Sequence, residues 1–229
     1  PTEIGSYNTS GKAVGVFVAG NHAYVADYQS GLQIIDISDP TNPILRGTYN
    51  SSGYAAQVWV RGRYAYLADR DAGIKIIDIA NPDAPALRGS LNTSGSAWDI
   101  MIRGKYAYIA DGAAGLKVVD ITDPSAPALT GTYNRSIFAY SVWVDGNHAF
   151  LGTDSDGLQI INISDPENPS KTGSLADAHS GNDIVISGNH AYVAGGTSGL
   201  LVFDISNRSN PQKVGEITGG VGADVNDAQ

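Results

Sequence analysis

Cysteine is absent from this 229-residue chain. That excludes a disulfide framework, a thiolate metal centre and a cysteine nucleophile, and it leaves the redox compartment open. Basic charge is scarce too: 14 Lys and Arg stand against 23 Asp and Glu, a net charge of −9. The basic residues are scattered singly, so no stripe is available to neutralise a phosphate backbone, and nucleic acid is not an expected partner. No apolar run approaches the roughly 18 residues a membrane helix needs. No basic-then-apolar leader stands at Pro1, and an opening proline is expected of a processed or excised chain. What the chain has in quantity is hydrophobic residues, at 42%, and 28 glycines, a composition suited to one β-rich core with many short connections.

The dominant feature is a repeat. Gly31, Gly73, Gly115, Gly157 and Gly199 are spaced by 42 residues at every step, as are Gly20, Gly62, Gly104, Gly146 and Gly188. Ala23, Ala65, Ala107, Ala149 and Ala191 keep the same register, each followed by an aromatic residue, and Pro43, Pro85, Pro127, Pro169 and Pro211 mark a third phase. Periods of this length mean solenoids, propellers or arrays.

Each unit carries four short strand patterns, A to D, shown here for the second unit. Strand A is Ala56 to Val60, closed by Arg61-Gly62-Arg63. Strand B is Tyr64 to Asp69, rich in residues that suit a pleated surface, and strand C is Ile74 to Ile79, after a turn in which Gly73 supplies the positive φ. Strand D is Ala86 to Leu91, reached through Asn81-Pro82-Asp83-Ala84-Pro85, whose prolines cannot donate to a ladder. Apolar residues occupy both parities of strand A: Val58 and Val60 on one face, Trp59 on the other, with Phe17, Met101, Trp143 and Val185 as counterparts of Trp59. A sandwich would leave one face polar, whereas stacked blades bury both. Trp59 and Trp143 are therefore expected between blades. Ala13, Ala55, Ala97, Ala139 and Gly181 hold a small-residue position where strands crowd toward an axis. Four strands per unit with no helical period predict an all-β fold, a β-propeller of five four-stranded repeats, complete as five blades or part of a larger propeller.

The strand C segments Leu32-Gln33-Ile34-Ile35-Asp36, Ile74-Lys75-Ile76-Ile77-Asp78 and Leu116-Lys117-Val118-Val119-Asp120 closely resemble the LVIVD repeat, a propeller-forming repeat of bacterial and archaeal surface and secreted proteins. Leu158 to Asn162 and Leu200 to Asp204 continue it, with Asn162 in place of the terminal Asp. The resemblance implies the architecture and an extracellular or cell-surface location, and carries no general catalytic set.

Function must therefore be sought in individual residues. Asp36, Asp78, Asp120 and Asp204 form a repeated carboxylate set, each before a Pro-containing turn, where an Asp side chain holds the turn by accepting from backbone N–H groups. Asp154-Ser155-Asp156-Gly157 is a D-x-D-G cluster, and Asp154 and Asp156 are the candidate calcium ligands, with Thr153 and main-chain carbonyls in support; the distal bidentate Glu of an EF-hand loop is missing. His22, His148 and His190 share one repeat position, but facing sheets lie about 10 Å apart, too far for one zinc, and they read as turn residues. Asp177-Ala178-His179-Ser180 is a lone loop cluster. No Ser-His-Asp or paired-carboxylate set emerges, so no enzyme and no cofactor other than calcium is expected.

Asn8-Thr9-Ser10, Asn50-Ser51-Ser52, Asn92-Thr93-Ser94 and Asn134-Arg135-Ser136 are acceptor sequons at the 42-residue step, making Asn8, Asn50, Asn92 and Asn134 candidates for N-glycosylation; Asn162 and Asn207 begin two more at other phases. The plainer reading is that Asn and Ser are loop residues copied by duplication.

The strand count does not close. Residues 1–8 align with 43–50, so the chain opens on a D strand; repeats then run over 9–50, 51–92, 93–134, 135–176 and 177–218 as one domain, and residues 211–218 form a sixth D segment. In a closed five-blade ring the N-terminal D strand could complete the last blade, leaving residues 211–218 surplus. Residues 219–229 read as a tail, or, through Gly222-Ala223-Asp224-Val225, as the start of a further strand. A spare strand is a template for addition to another sheet. The expected function is a non-enzymatic extracellular structural or interaction module, a surface, matrix or filament subunit engaging proteins or itself through that strand. The alternative is a glycan- or calcium-binding propeller acting through rim loops.

Overall fold

The computed structural model describes residues 2–135, 137–154, 156–176 and 181–218. Within them the chain forms five four-stranded sheets. The first contains β1 (Gly15–Ala19), β2 (His22–Ala26), β3 (Leu32–Asp36) and β4 (Ile44–Tyr49), and the second β5 (Gln57–Arg61), β6 (Tyr64–Ala68), β7 (Ile74–Asp78) and β8 (Ala86–Leu91). The third contains β9 (Asp99–Arg103), β10 (Tyr106–Ala110), β11 (Leu116–Asp120) and β12 (Ala128–Tyr133). The fourth contains β13 (Ala139–Asp145), β14 (His148–Thr153), β15 (Leu158–Asn162) and β16 (Ser170–Leu175), and the fifth β17 (Asp183–Ser187), β18 (His190–Ala194), β19 (Leu200–Asp204) and β20 (Gln212–Ile217). Strands pair antiparallel with their neighbours in chain order, so each sheet is one repeat unit and one propeller blade.

The C and D strands of every blade lose register by one residue, between Ile34 and Ile35, Ile76 and Ile77, Val118 and Val119, Ile160 and Ile161, and Val202 and Val202's neighbour Phe203. The extra residue sits on the outer strand and bends it. The turn before strand C uses positive φ at Gly31, Gly73, Gly115, Gly157 and Gly199, which fixes that repeated glycine in the sequence.

Blades stack through hydrophobic junctions. Tyr24, Leu32 and Ile34 of the first blade meet Val58, Val60 and Leu67 of the second. Tyr66, Ile74 and Ile76 meet Ile100, Ile102 and Ile109; Tyr108, Leu116 and Val118 meet Val142, Val144 and Leu151; Phe150, Leu158 and Ile160 meet Ile184, Val193 and Leu201. Each blade thus offers a back face to the front face of the next. Trp59 and Trp143 are half-buried rather than enclosed, packed against the rims of two of these clusters, with Phe17 and Trp59 ring centroids 5.0 Å apart.

A backbone bridge reinforces the first three junctions at the small-residue position. Tyr28 and Ala55 exchange N–H···O=C bonds of 3.1 and 2.9 Å, and Arg70 with Ala97 and Gly112 with Ala139 repeat the pair. A larger side chain at Ala55, Ala97 or Ala139, each fully buried, would hold the blades apart.

Among the described residues there are four such clusters for five blades. None of these clusters joins the fifth blade to the first. The N-terminal segment does not complete the last blade either: β20 holds that place by pairing with β19, and residues 2–8 join no sheet. They lie instead where a preceding blade's D strand would be. A Cβ on Gly5 would overlap the Pro40 carbonyl, as one on Gly47 would overlap the Pro82 carbonyl one repeat later.

Candidate functional site

The repeated carboxylates after strand C are turn anchors. Oδ1 of Asp36, Asp78, Asp120 and Asp204 accepts from the backbone N–H two residues on, at 2.8–3.0 Å, and Asn162 Oδ1 does the same for Ser164 at 2.9 Å. Hydrogen bonds with Ser38, Thr122 and Ser206, and the Arg63 guanidinium beside Asp78, hold the four carboxyls below their ordinary range. An amide at Asn162 makes the same bond, so the charge is not what the turn requires.

A second carboxylate set, absent from the sequence reading, is fully buried. Asp27, Asp69 and Asp111 follow strand B, and each collects two donors from the loop between strand D and the next strand A. Thr9, Ser51 and Thr93 hydroxyls donate to Oδ1 at 2.7, 2.6 and 2.5 Å, and the N–H groups of Gly11, Gly53 and Gly95 donate to Oδ2 at 2.8, 3.1 and 3.0 Å. Burial pushes the Asp69 and Asp111 carboxyls up.

Thr9, Ser51 and Thr93 are the middle residues of three sequons, the position a sequon leaves open, so these bonds account for the repeated hydroxyl there and not for the acceptor Asn or the third-position Ser. Asn8, Asn50, Asn92 and Asn134 are all exposed. Intact-mass measurement on material from the native source is the check: attachment at these asparagines adds a glycan mass per site that an Asn50→Gln change removes, and four bare asparagines would dismiss it.

At the candidate calcium cluster, Asp154 and Asp156 are exposed, Thr153 Oγ1 donates to the Gly157 carbonyl at 2.7 Å and Gln159 Nε2 donates to the Asp156 carbonyl at 2.9 Å. The neighbouring carbonyls are thus engaged by the turn itself. Among the described residues no three His, Asp or Glu side chains converge on a metal position. His22, His148 and His190 are not turn residues but the first residues of the B strands, directly after the turn, and residues 177–180 lie outside the described residues.

A cavity of about 900 Å³ opens where the five A strands begin; the N-terminal segment and the first blade supply most of its wall, among them Tyr7, Val14 and Val16, and Gln57, Asp99, Tyr140 and Asp183 come from the later blades. Asp99 accepts from Ile100 N–H at 2.7 Å and reaches across the junction to Val142 N–H at 2.7 Å; Asp183 accepts from Ile184 N–H at 2.9 Å. Arg70 also lines the cavity, its guanidinium 3.1 Å above the Trp98 ring centroid. Burial holds its pKa below the ordinary arginine value. Arg70 has φ +47 and Tyr28, one repeat earlier, φ +51, where Gly112 and Gly196 take the same conformation at φ +55. A non-glycine residue held there stores about 1–3 kcal/mol. Tyr28 stacks on Tyr54, centroids 4.7 Å apart.

The other unusual surfaces are the two ends of the stack. Val16 and Val18 on β1 are 45% and 58% exposed, whereas Val58, Ile100 and Val142, at the Val16 position of later blades, are 1–4% exposed. At the opposite end Ile217 is 68% exposed, although Tyr49, Leu91 and Leu175 at its position pack on a junction. Gly215 is likewise uncovered. Cβ atoms on Gly47, Gly89, Gly131 and Gly173 would overlap a carbonyl from the next blade's turn, while one on Gly215 would find nothing nearer than Val202 Cβ at 3.7 Å.

Among solved structures, the chain is similar to the Pseudomonas aeruginosa periplasmic gluconolactonase PpgL (12% identity, TM-score 0.75, covering 90% of this chain and 72% of that one). It is similar too to the β-propeller domain of Myceliophteria thermophila Cps50 (Swd1), at 15% identity, TM-score 0.70, and 93% and 74% coverage. A third likeness is to the computationally designed Ika8 protein, at 12% identity, TM-score 0.68 and 90% coverage of this chain, which spans 64% of that one. At these identities the likeness shows the propeller fold alone. A search of the curated proteins finds no match. The model of the LVIVD repeat matches residues 10–51, 52–93, 94–135, 138–177 and 179–218, in phase with the five blades, and the chain belongs to the LVIVD repeat family.

Proposed function

We propose that the chain is a non-enzymatic extracellular structural module that associates with further copies of itself through the two ends of its blade stack. The observation that carries this reading is the count, among the described residues, of four junctions for five blades: the back face of the fifth blade and the front face of the first correspond to the two halves of a junction built four times elsewhere among those residues. Each half is therefore already shaped for the other. Contact between unlike faces is heterologous, and it yields rings if the rotation closes and filaments if it does not.

The spare D segment enters as a competitor. Seating a fifth blade on the first blade of another copy brings β20 to the place held by residues 2–8 of that copy, so one of the two must yield. Removing residues 1–8 is then expected to promote assembly.

Complementary variants test the reading. Val18→Asp spoils only the front face and Ile217→Asp only the back face, and both positions are exposed, so the fold is retained. Each variant alone is expected to sediment as a monomer while the parent assembles with concentration. An equimolar mixture is expected to form a one-to-one dimer, because one intact front meets one intact back. A parent chain that stays monomeric at high concentration, or a mixture that does not pair, removes the proposal.

A further inference from the structure

The repeat supplies its own control for deciding which surface residues the fold requires. The turn between strands A and B reads Ala19-Gly20-Asn21, Asp145-Gly146-Asn147 and Ser187-Gly188-Asn189 in the first, fourth and fifth units, but Arg61-Gly62-Arg63 and Arg103-Gly104-Lys105 in the second and third. The glycine, at positive φ in every unit, is what the turn needs; the basic residues are not. Between the second and third blades they border a groove of about 410 Å³, lined by Arg61, Arg63 and Lys105 beside Tyr64 and Tyr66, with no carboxylate in its wall. The corresponding groove between the fourth and fifth blades is filled by the chain itself. Arg208 stands there in place of Pro40, Pro82, Pro124 and Pro166 of the other units, and its guanidinium lies 5.4 Å from the Phe150 ring centroid. It donates to the Asp145 carboxylate at 2.6 Å and to His148 Nδ1 at 2.7 Å. Asp145 holds the repeat position of Arg61, His148 that of Tyr64 and Phe150 that of Tyr66. The earlier groove is thus the later one with its sign reversed, and the short ring of Pro124 leaves it open.

We propose that the groove between the second and third blades binds an acidic protein segment, whose carboxylate side chain takes the place that the Arg208 guanidinium has in the later junction. Arg61 is exposed, donates to the Gly104 carbonyl across the junction, and has no carboxylate partner among the described residues. With five N–H donors in a planar fork, it can offer a carboxylate a charge-assisted pair of hydrogen bonds. Arg63 and Lys105 pair with Asp78 and Asp120, but both cationic side chains are 59% exposed, so these ion pairs are open to water, weakly held, and leave spare donors. Three cations against two carboxylates give the groove a positive excess in a chain whose net charge is −9. A protein segment is favoured over an acidic sugar because the occupant of the later groove is itself a side chain reaching in from a loop. The site lies within the stack, between blades held by their own junction, so it stands apart from the assembly of the two ends.

The probe is an acetylated pentaglutamate peptide, with pentaglutamine as the neutral control and oligogalacturonate as the acidic sugar, titrated calorimetrically into the full chain at low ionic strength, where surface charge is least screened. Pentaglutamate is expected to bind and pentaglutamine is not. Arg61→Ala and Arg63→Asn each install the residue that the first unit carries, so each is expected to keep the thermal midpoint while weakening binding about tenfold or more. Arg61→Asp combined with Pro124→Arg moves the later junction's pair into this groove, and the chain is then expected to fold and to bind no pentaglutamate. Absence of binding by the parent, binding of oligogalacturonate without pentaglutamate, or undiminished binding by the double variant overturns the proposal. If Arg61→Ala lowers the thermal midpoint through loss of its bond to Gly104, Arg63→Asn, which leaves that bond in place, decides: undiminished binding by Arg63→Asn overturns the proposal equally.

Discussion

Gly89→Ala is expected to destabilise the chain by about 3 kcal/mol, and Gly215→Ala, the same change at the same repeat position, is expected to leave its stability nearly untouched. Gly89 lies on β8 at the register shift, and the Pro124 carbonyl of the next blade's turn occupies the space that a Cβ would take. A carbonyl anchored in a proline turn cannot rotate away as a side-chain end would, so the whole turn must move and the junction beneath it opens. At Gly215 no later blade approaches, and the added methyl group meets only Val202 at ordinary van der Waals distance. There the substitution also removes some backbone freedom from the unfolded chain, a gain of a few tenths to 1 kcal/mol. Urea denaturation of the two variants at low protein concentration is the check. Equal midpoints would mean that blade-to-blade contact at the turn is looser than described. The pair also bears on assembly: a methyl group at Gly215 that leaves the monomer intact should obstruct the turn of an incoming copy, so Gly215→Ala should be stable and impaired in association.

Asp69→Ala is expected to cost about 2–3 kcal/mol at neutral pH, because the Ser51 hydroxyl and the Gly53 N–H lose their shared acceptor in a place water does not reach. Asp69→Asn separates hydrogen bonding from charge. Burial raises the Asp69 carboxyl in the folded chain, so between that raised pKa and the unfolded value of about 3.9 the folded state binds more protons than the unfolded state. This group's contribution therefore grows as pH falls through that window and shrinks as pH rises. Asp36, Asp78, Asp120 and Asp204 act in the opposite sense, since their lowered values mean stability lost on acidification. They are common to the parent and the variant and cancel in the difference. The stability of the parent minus that of Asp69→Asn should accordingly increase from pH 7 toward pH 4. A difference independent of pH would show that Asp69 titrates as an ordinary surface carboxyl.

Much of the architecture was legible because a 42-residue step repeats the same local chemistry five times. Positive φ at Gly73, the proline-bearing loop at Pro82 to Pro85 and apolar residues on both faces of strand A all survive translation into coordinates, with strand A of the second unit shifted by one residue to Gln57–Arg61. Asp78 as a turn anchor was legible too, since its partner lies two residues away. Asp69 was not, although it recurs at the same step as Asp27 and Asp111, because its partners lie 16 and 18 residues upstream and local turn chemistry gives no hint of them. Its position at the end of a strand pattern read as one more strand residue. Trp59 was expected between blades because stacking buries both faces of strand A. In the structure it covers the rim of a junction that the smaller Val58 and Val60 fill. The cavity at the start of the A strands was invisible for another reason: its wall joins the N-terminal segment to residues such as Asp99 and Asp183 that lie many tens of residues away in sequence.

The open stack also bears on how the chain folds. Every junction joins one unit to the next along the sequence, and among the described residues no hydrophobic cluster ties the first blade to the fifth. A closed ring must bring together segments separated by nearly the whole chain, and the entropy of that loop closure is spent before the last contacts form. With each described cluster joining adjacent units, nucleation can begin at any adjacent pair of blades and spread both ways, and the end blades, each with one such cluster, are expected to open before the middle one. Amide hydrogen exchange should therefore be slowest in β9 to β12 and fastest at the two ends.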